Sequence, residues 1–184
     1  MNRPSALVLG AFVLAVTSRV DADPWPSIPI PPGNAAALLT APARPPPGDI
    51  EDRARHLAAA LGGAAPANAD DFFFPRDAFL AVKDMSGASG YFATLIRAYH
   101  HDIETDRAEI PAGATVTFVR FEPARSCRWM PIGHEANRLP YYSCYGSRLI
   151  VSAGGHEITF RIHVMINWGD HWYVTHLGPI PRRT

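Results

Sequence analysis

The chain has 184 residues, with 17 basic and 17 acidic side chains and a formal net charge of zero. Nucleic-acid binders and peripheral membrane proteins carry a basic surplus, so this balance speaks against both classes.

Residues 1–22, MNRPSALVLGAFVLAVTSRVDA, read as a cleaved secretory signal peptide. Arg3 supplies the early charge, Ala6 to Val16 an apolar run, and Val20-Asp21-Ala22 the small residues a signal peptidase inspects. An apolar core of about 11 residues falls short of the roughly 20 needed to cross a bilayer, so an integral membrane protein is not expected. No cysteine follows the run, which leaves no site for a lipidated N-terminus. The expected destination is secreted or periplasmic. Cleavage would leave 162 residues carrying 15 basic and 16 acidic groups, enough for one domain with a real core.

Residues 23–48 form a proline-rich stretch, with nine prolines between Pro24 and Pro47. Proline lacks the N–H that helices and central strands need and restricts the residue before it. The stretch reads as an extended spacer, although Trp25, Ile28 and Ile30 give it groups able to dock.

Residues 49–184 read as a single α+β domain. Asp49 to Leu61 has an acidic first turn, an apolar stripe of Ile50, Ala54, Leu57, Ala58 and Leu61, and a stop at Gly62-Gly63. A short helix is expected from about Arg76 to Lys83, after Phe72-Phe-Phe-Pro75. A long one is expected from Ala88 to Arg107, with Phe92, Leu95, Ile96, Tyr99 and Ile103 on one face. After Gly113 the period changes to two. Thr115–Glu122, Leu139–Ser152, His156–Asn167 and His171–Leu177 read as strands, with turns at Gly154-Gly155 and Trp168-Gly169. Helices followed by antiparallel strands predict N-terminal helices and a curved antiparallel sheet of four or more strands packed on a long helix.

Cys127 and Cys144 are the two cysteines. In an oxidising compartment they are expected to pair, closing a loop for which chain entropy gives roughly 3 kcal/mol. A redox or zinc pair is the competing reading, and the spacing is not CxxC.

The closing hairpin Ile158-Thr-Phe-Arg-Ile-His-Val-Met-Ile166 and Trp172-Tyr-Val-Thr-His-Leu177, after a long helix, resembles the cystatin-like and NTF2-like superfamily over roughly residues 70–180. The resemblance lies in element order and implies a pocket between sheet and helix. It implies nothing about chemistry.

Two-residue turns put Leu149, Val151, Ile158, Phe160, Ile162, Val164, Tyr173 and Leu177 on one apolar face. The other face collects Arg148, Thr159, Arg161, His163, Met165, Trp172 and His176. Arg161 is expected opposite Arg148 on one side and His176 on the other. Such a row of basic groups needs acidic neighbours, solvent or an anionic ligand, and Glu122 and Glu157 are the candidate neighbours. His163, Arg161 and His176 are therefore the candidate catalytic residues, for acid–base chemistry on a small anionic substrate. Arg148, Trp172 and Tyr99 are the candidate ligand-binding residues, and His100 and Asp102 are further helix groups able to face the same pocket. No metal is expected, because no three histidine, cysteine or acidic ligands share one face. No cofactor motif is present. The aromatics Trp129, Tyr141, Tyr142, Tyr145, Trp168 and Trp172 read as packing or as an apolar groove. A third reading is an inhibitor-like protein that inserts a loop into a partner, the loop being Ser126 to Pro140, tied at one end by the disulfide and carrying Trp129.

The functional expectation is an exported, non-catalytic binding or accessory module, whose partner is an envelope protein or a small ligand. The alternative is a pocketed α+β enzyme using His163 and Arg161.

Overall fold

The computed structural model describes residues 28–179. The signal peptide and Trp25 lie outside the described residues. Three helices precede the strands: α1 (Ile50–Leu61), α2 (Arg76–Val82) and α3 (Ala88–Arg107). Five strands follow: β1 (Val116–Glu122), β2 (Ser126–Met130), β3 (Tyr141–Ala153), β4 (His156–Trp168) and β5 (His171–His176). The fold is α+β, with an antiparallel sheet in the order β1-β3-β4-β5 and β2 also paired to β3.

The sheet is built on β3 and β4, each 13 residues long. β1 and β2 share the outer edge of β3 one after the other. β1 pairs with Arg148–Ala153, and β2 with Tyr141–Tyr145. In the break between them the backbone N–H of Ala124 donates to Ser147 Oγ, so the gap leaves no orphan donor there. The segment from Ser126 is thus a paired strand for its first five residues, not a free loop. Its other edge partner problem is solved at β5, where Phe73 bridges Val174 and the N–H of Phe74 donates to the Val174 carbonyl. That covers an edge that would otherwise offer unpaired groups.

The expected stripe on α1 is buried throughout. Two guanidinium groups extend its grip on the sheet. Arg55 stacks on Phe118 of β1 at 4.3 Å, and Arg53 on Tyr173 of β5 at 4.4 Å. Gly62 lets α1 end close against the sheet, because a Cβ there would lie 3.0 Å from the Val116 side chain and push it aside by a few tenths of an ångström. Arg107, in the last turn of α3, donates to the carbonyls of Ala60 and Ala64 and so satisfies the end of α1. α3 buries Phe92, Tyr99 and Ile103 against the other helical segments and meets the sheet at β5.

The even-numbered side chains of β4, from Phe160 to Trp168, are all buried. Trp168 and Tyr173 meet Phe74 edge-on at 6.2 and 5.9 Å. The opposite face is divided. Thr159 and Arg161 are exposed, while Met165, Asn167 and Trp172 are buried. What covers the second group is the proline-rich stretch. Over residues 28–48 it is not a free spacer but a strap tied across the sheet. Tyr142 Oη donates to the Pro42 carbonyl at 2.6 Å and Trp172 Nε1 to the Pro46 carbonyl at 3.1 Å. The fully buried Asn34 donates to the Pro140 carbonyl and accepts from the Gly169 N–H.

Candidate functional site

The outer face of β3 and β4 keeps half of its expected arrangement. Arg161 does lie opposite Arg148. It does not lie opposite His176. The β4–β5 turn is made by Gly169-Asp170, with Gly169 at φ 62, and Trp168 stays in the strand opposite His171. The register moves accordingly, and a bulge at Val164/Met165 brings Val164 opposite His176.

Glu122 answers most of the charge on this face. It bonds Arg120 at 2.9 Å and Arg148 at 2.6 Å, and Arg120 reaches Glu157 at 3.1 Å. The Arg120 hydrogen bond, with the nearby charges, holds the Glu122 carboxyl below its usual range. Arg161 has no ion-pair partner among the described residues. Its guanidinium lies over Gly146, where a Cβ would meet Nη2 at 3.4 Å. His163 follows on the same face, and burial together with the Arg161 charge lowers its pKa against the opposing pull of Asp102.

The remaining candidates lie elsewhere. Tyr99 is buried in the helical layer with its Oη donating to the Ala69 carbonyl, and burial raises its pKa well above normal. Trp172 lies under the strap. Two other histidines pair with aspartates: His100 with Asp70 at 2.6 Å, and His171 with Asp49 at 3.0 Å and with Asp170 at 3.4 Å. Among the described residues no three His, Cys, Asp or Glu side chains are placed to hold a metal ion.

A denser polar cluster lies where α2 ends. Lys83 and Asn137 form a short antiparallel bridge, joining the end of α2 to the segment before β3. The Lys83 ammonium donates to the Glu135 carbonyl at 3.1 Å, to Asn137 Oδ1 at 2.8 Å and to Tyr141 Oη at 3.1 Å. All three of its N–H groups are therefore used. Tyr141 Oη in turn donates to Glu135 Oε2 at 2.9 Å. Burial depresses the Lys83 pKa, and burial beside the Glu135 carboxylate drives the Tyr141 pKa up.

This cluster holds two strained residues. Glu135 and Ala136 have φ of 49° and 56°, the two non-glycine residues with positive φ among those described. Such geometry costs on the order of 1 kcal/mol per residue and persists where its surroundings over-determine it. Beside them Asn137, 3% exposed, keeps its Nδ2 buried with no hydrogen bond of standard geometry, its amide lying against the Tyr141 hydroxyl. His176, at the end of β5, feels Glu135 and Lys83 as well as Asp102 and His163, and burial lowers its pKa. It is the one expected catalytic residue that the fold brings toward this cluster.

The sequence gives little sign of the cluster. Its members come from residue 83, residues 135–137 and residue 141, and no local pattern links them. Gly133, at φ 85, is the single turn signal before the strained pair.

The fold and these sites together define an α+β protein with a helical layer on one sheet face and a proline-rich strap on part of the other. Cys127 and Cys144, directly opposite each other in β2 and β3, are joined by a disulfide as expected. No described helix is long and apolar enough to cross a membrane. No family model matches the chain, and no curated protein or solved structure matches it.

Proposed function

We propose that the protein is an exported, non-catalytic binding or accessory module whose ligand site is the cluster of Lys83, Glu135, Asn137 and Tyr141, with His176 at its margin. The observation that carries this reading is the unpaired Asn137 Nδ2 beside two strained residues. A buried donor without an acceptor costs about 1–3 kcal/mol, and strain held next to it is characteristic of binding positions. Export is supported by the N-terminal sequence and by the disulfide, which oxidising compartments favour. The resemblance to the cystatin-like and NTF2-like superfamily rests on element order alone and carries no part of this reading.

The ligand class follows from the charges. The Lys83 ammonium and the Glu135 carboxylate sit in one hydrogen-bonded network, so the site has no surplus charge to offer an ion. It suits a small neutral group with a carbonyl or hydroxyl acceptor for Asn137 Nδ2. The enzymatic alternative required His163 and Arg161 in an enclosed pocket beside a carboxylate or tyrosine. Arg161 is exposed, and among the described residues no hydrogen bond links His163 to such a group.

The test is a titration of the isotope-labelled chain with acetamide as a neutral probe and acetate as its charged counterpart. Saturable shifts of the Asn137 side-chain amide with acetamide, abolished in Lys83→Met, support the site. An Asn137 signal indifferent to acetamide refutes it.

A further inference from the structure

The strap makes its contacts in a manner that describes a recognition surface. Prolines at 42, 45, 46 and 47 fix φ near −65° and push the residues before them to extended backbone, which is the polyproline II conformation. A chain of this kind has few N–H groups to offer, so a surface that reads it must supply donors for its carbonyls. Here the donors are aromatic. Tyr142 Oη bonds the Pro42 carbonyl and Trp172 Nε1 the Pro46 carbonyl, four residues further on. At about 3.1 Å per residue those carbonyls lie roughly 12 Å apart along the strap.

The rest of the surface is apolar and fixed. Trp129 packs edge-on against Tyr142 at 4.9 Å, and the disulfide ties the strands that carry them. Arg44 of the strap donates to Cys127 Sγ at 3.0 Å. Between strap and sheet remains a cavity of about 30 Å³, lined by Pro45, Pro47, Met165, Trp172 and both cysteines. A second, wider space of about 380 Å³ lies between Pro31, Pro42, Ala43 and Pro45 of the strap and Asn167 and Gly169, so the strap is held at its anchors rather than packed along its whole length. Beyond the last proline, Gly48 has φ 59 and joins the strap to α1, providing a pivot between them.

We propose that Tyr142, Trp129, Trp172 and the disulfide form a binding surface for an extended proline-rich segment of a partner protein, and that residues 42–47 occupy it as a built-in competitor. Aromatic side chains that hold a polyproline backbone through ring packing and N–H or O–H donors are a general mode of peptide recognition. The tethered strap competes at an effective concentration in the millimolar range, so a free peptide binds well only when the strap is loosened. This surface is separate from the Lys83 cluster, and neither proposal depends on the other.

The experiment uses the full chain and a fluorescein-labelled peptide of residues 41–49, APARPPPGD, read by anisotropy. Replacing Pro42, Pro45, Pro46 and Pro47 by glycine within the chain loosens the strap and leaves the surface intact. The expected result is at least tenfold tighter peptide binding by this variant than by the wild type. Adding Tyr142→Phe or Trp172→Phe then weakens binding about tenfold, as does replacing every proline of the peptide by alanine. In the wild-type chain, excess peptide moves the Ala43 amide resonance to its unfolded position, a readout that needs no variant. The proposal is overturned if the loosened chain, with its disulfide intact by mass, ignores the peptide. It is overturned equally if the all-alanine peptide binds as well, or if the loosened chain exchanges straps with a second copy and excludes the peptide.

Discussion

The side chain of Asn34 accepts the backbone N–H of Gly169 across 135 residues of sequence, and its amide donates to the Pro140 carbonyl at 2.8 Å. One fully buried carboxamide thus fixes the strap to the β4–β5 turn and to the start of β3. Replacing Asn34 by alanine strands two buried backbone groups, and about 2 kcal/mol of stability should be lost. Urea denaturation measures it. A strap that were merely a tether would leave the midpoint unchanged.

Asp106 carries a cost that a substitution can relieve. Burial, with Glu109 and Asp102 nearby, raises its pKa from 3.8 to about 6. The folded chain therefore binds the proton more tightly than the unfolded chain. The favourable contribution is complete below pH 3.8 and is lost as pH rises through about 6. At pH 7 the ionised Asp106 destabilises the fold. Asp106→Asn should add about 1 kcal/mol at that pH, after allowance for solvent screening. Below pH 4 the gain should vanish. Equal melting temperatures for variant and wild type at pH 7 would remove the argument.

The legible parts of the sequence were those whose signal is local. The α1 stripe and the full span of α3 follow from 3.6-residue spacing, and the β3–β4 register from Gly154-Gly155. The next turn misleads because Trp168-Gly169 and Gly169-Asp170 are both plausible turn pairs. The choice is made by packing, since Trp168 must remain in the strand to reach Phe74. β2 is hard to read because its alternation of Ser126 and Arg128 with Cys127 and Trp129 lasts only five residues, too few to stand out from a loop. Its pairing is nonetheless implied once Cys127 is placed opposite Cys144. The strap was opaque for another reason. Its anchors, Asn34, Tyr142 and Trp172, are ordinary residues until the tertiary fold brings carbonyls to them.

His163 and His176 predict the acid behaviour of the sheet. Both have pKa values lowered from 6.5, by burial first; the Arg161 charge adds to this at His163, whereas at His176 the Asp102 and Glu135 carboxylates oppose it. The unfolded chain then takes up protons before the folded one as pH falls. The stability tied to these neutral imidazoles is complete above pH 6.5 and is lost as pH drops through their folded values. In an Asp106→Asn background, which removes the opposite response of that carboxyl, melting temperature should fall between pH 6.5 and 5, and His176→Gln should flatten the fall more than His163→Gln, because His176 is the more buried. Identical pH profiles for the background chain and both variants would refute this assignment.

The Lys83–Tyr141 contact decides whether the strained loop is held by a network or by independent bonds. Tyr141 Oη both receives the Lys83 proton and donates to Glu135, so removing either partner disturbs the other's role. Tyr141→Phe leaves one Lys83 N–H without its acceptor, and Lys83→Met leaves Asn137 Oδ1 and the Glu135 carbonyl without theirs. Each substitution should cost about 1–2 kcal/mol. Because both changes undo the same set of bonds, the double variant should cost less than their sum by about 1 kcal/mol. Amide exchange offers a second view of the same coupling. With the Lys83 ammonium gone, the left-handed backbone at Glu135 and Ala136 keeps the Asp84 N–H on the Ala136 carbonyl but loses the bond to the Glu135 carbonyl, and the N–H of Asn137, which bonds the His134 carbonyl, should lose part of its protection. Strict additivity, with unchanged exchange at Asn137, would show that the strain is carried by the loop itself and that Lys83 only decorates it.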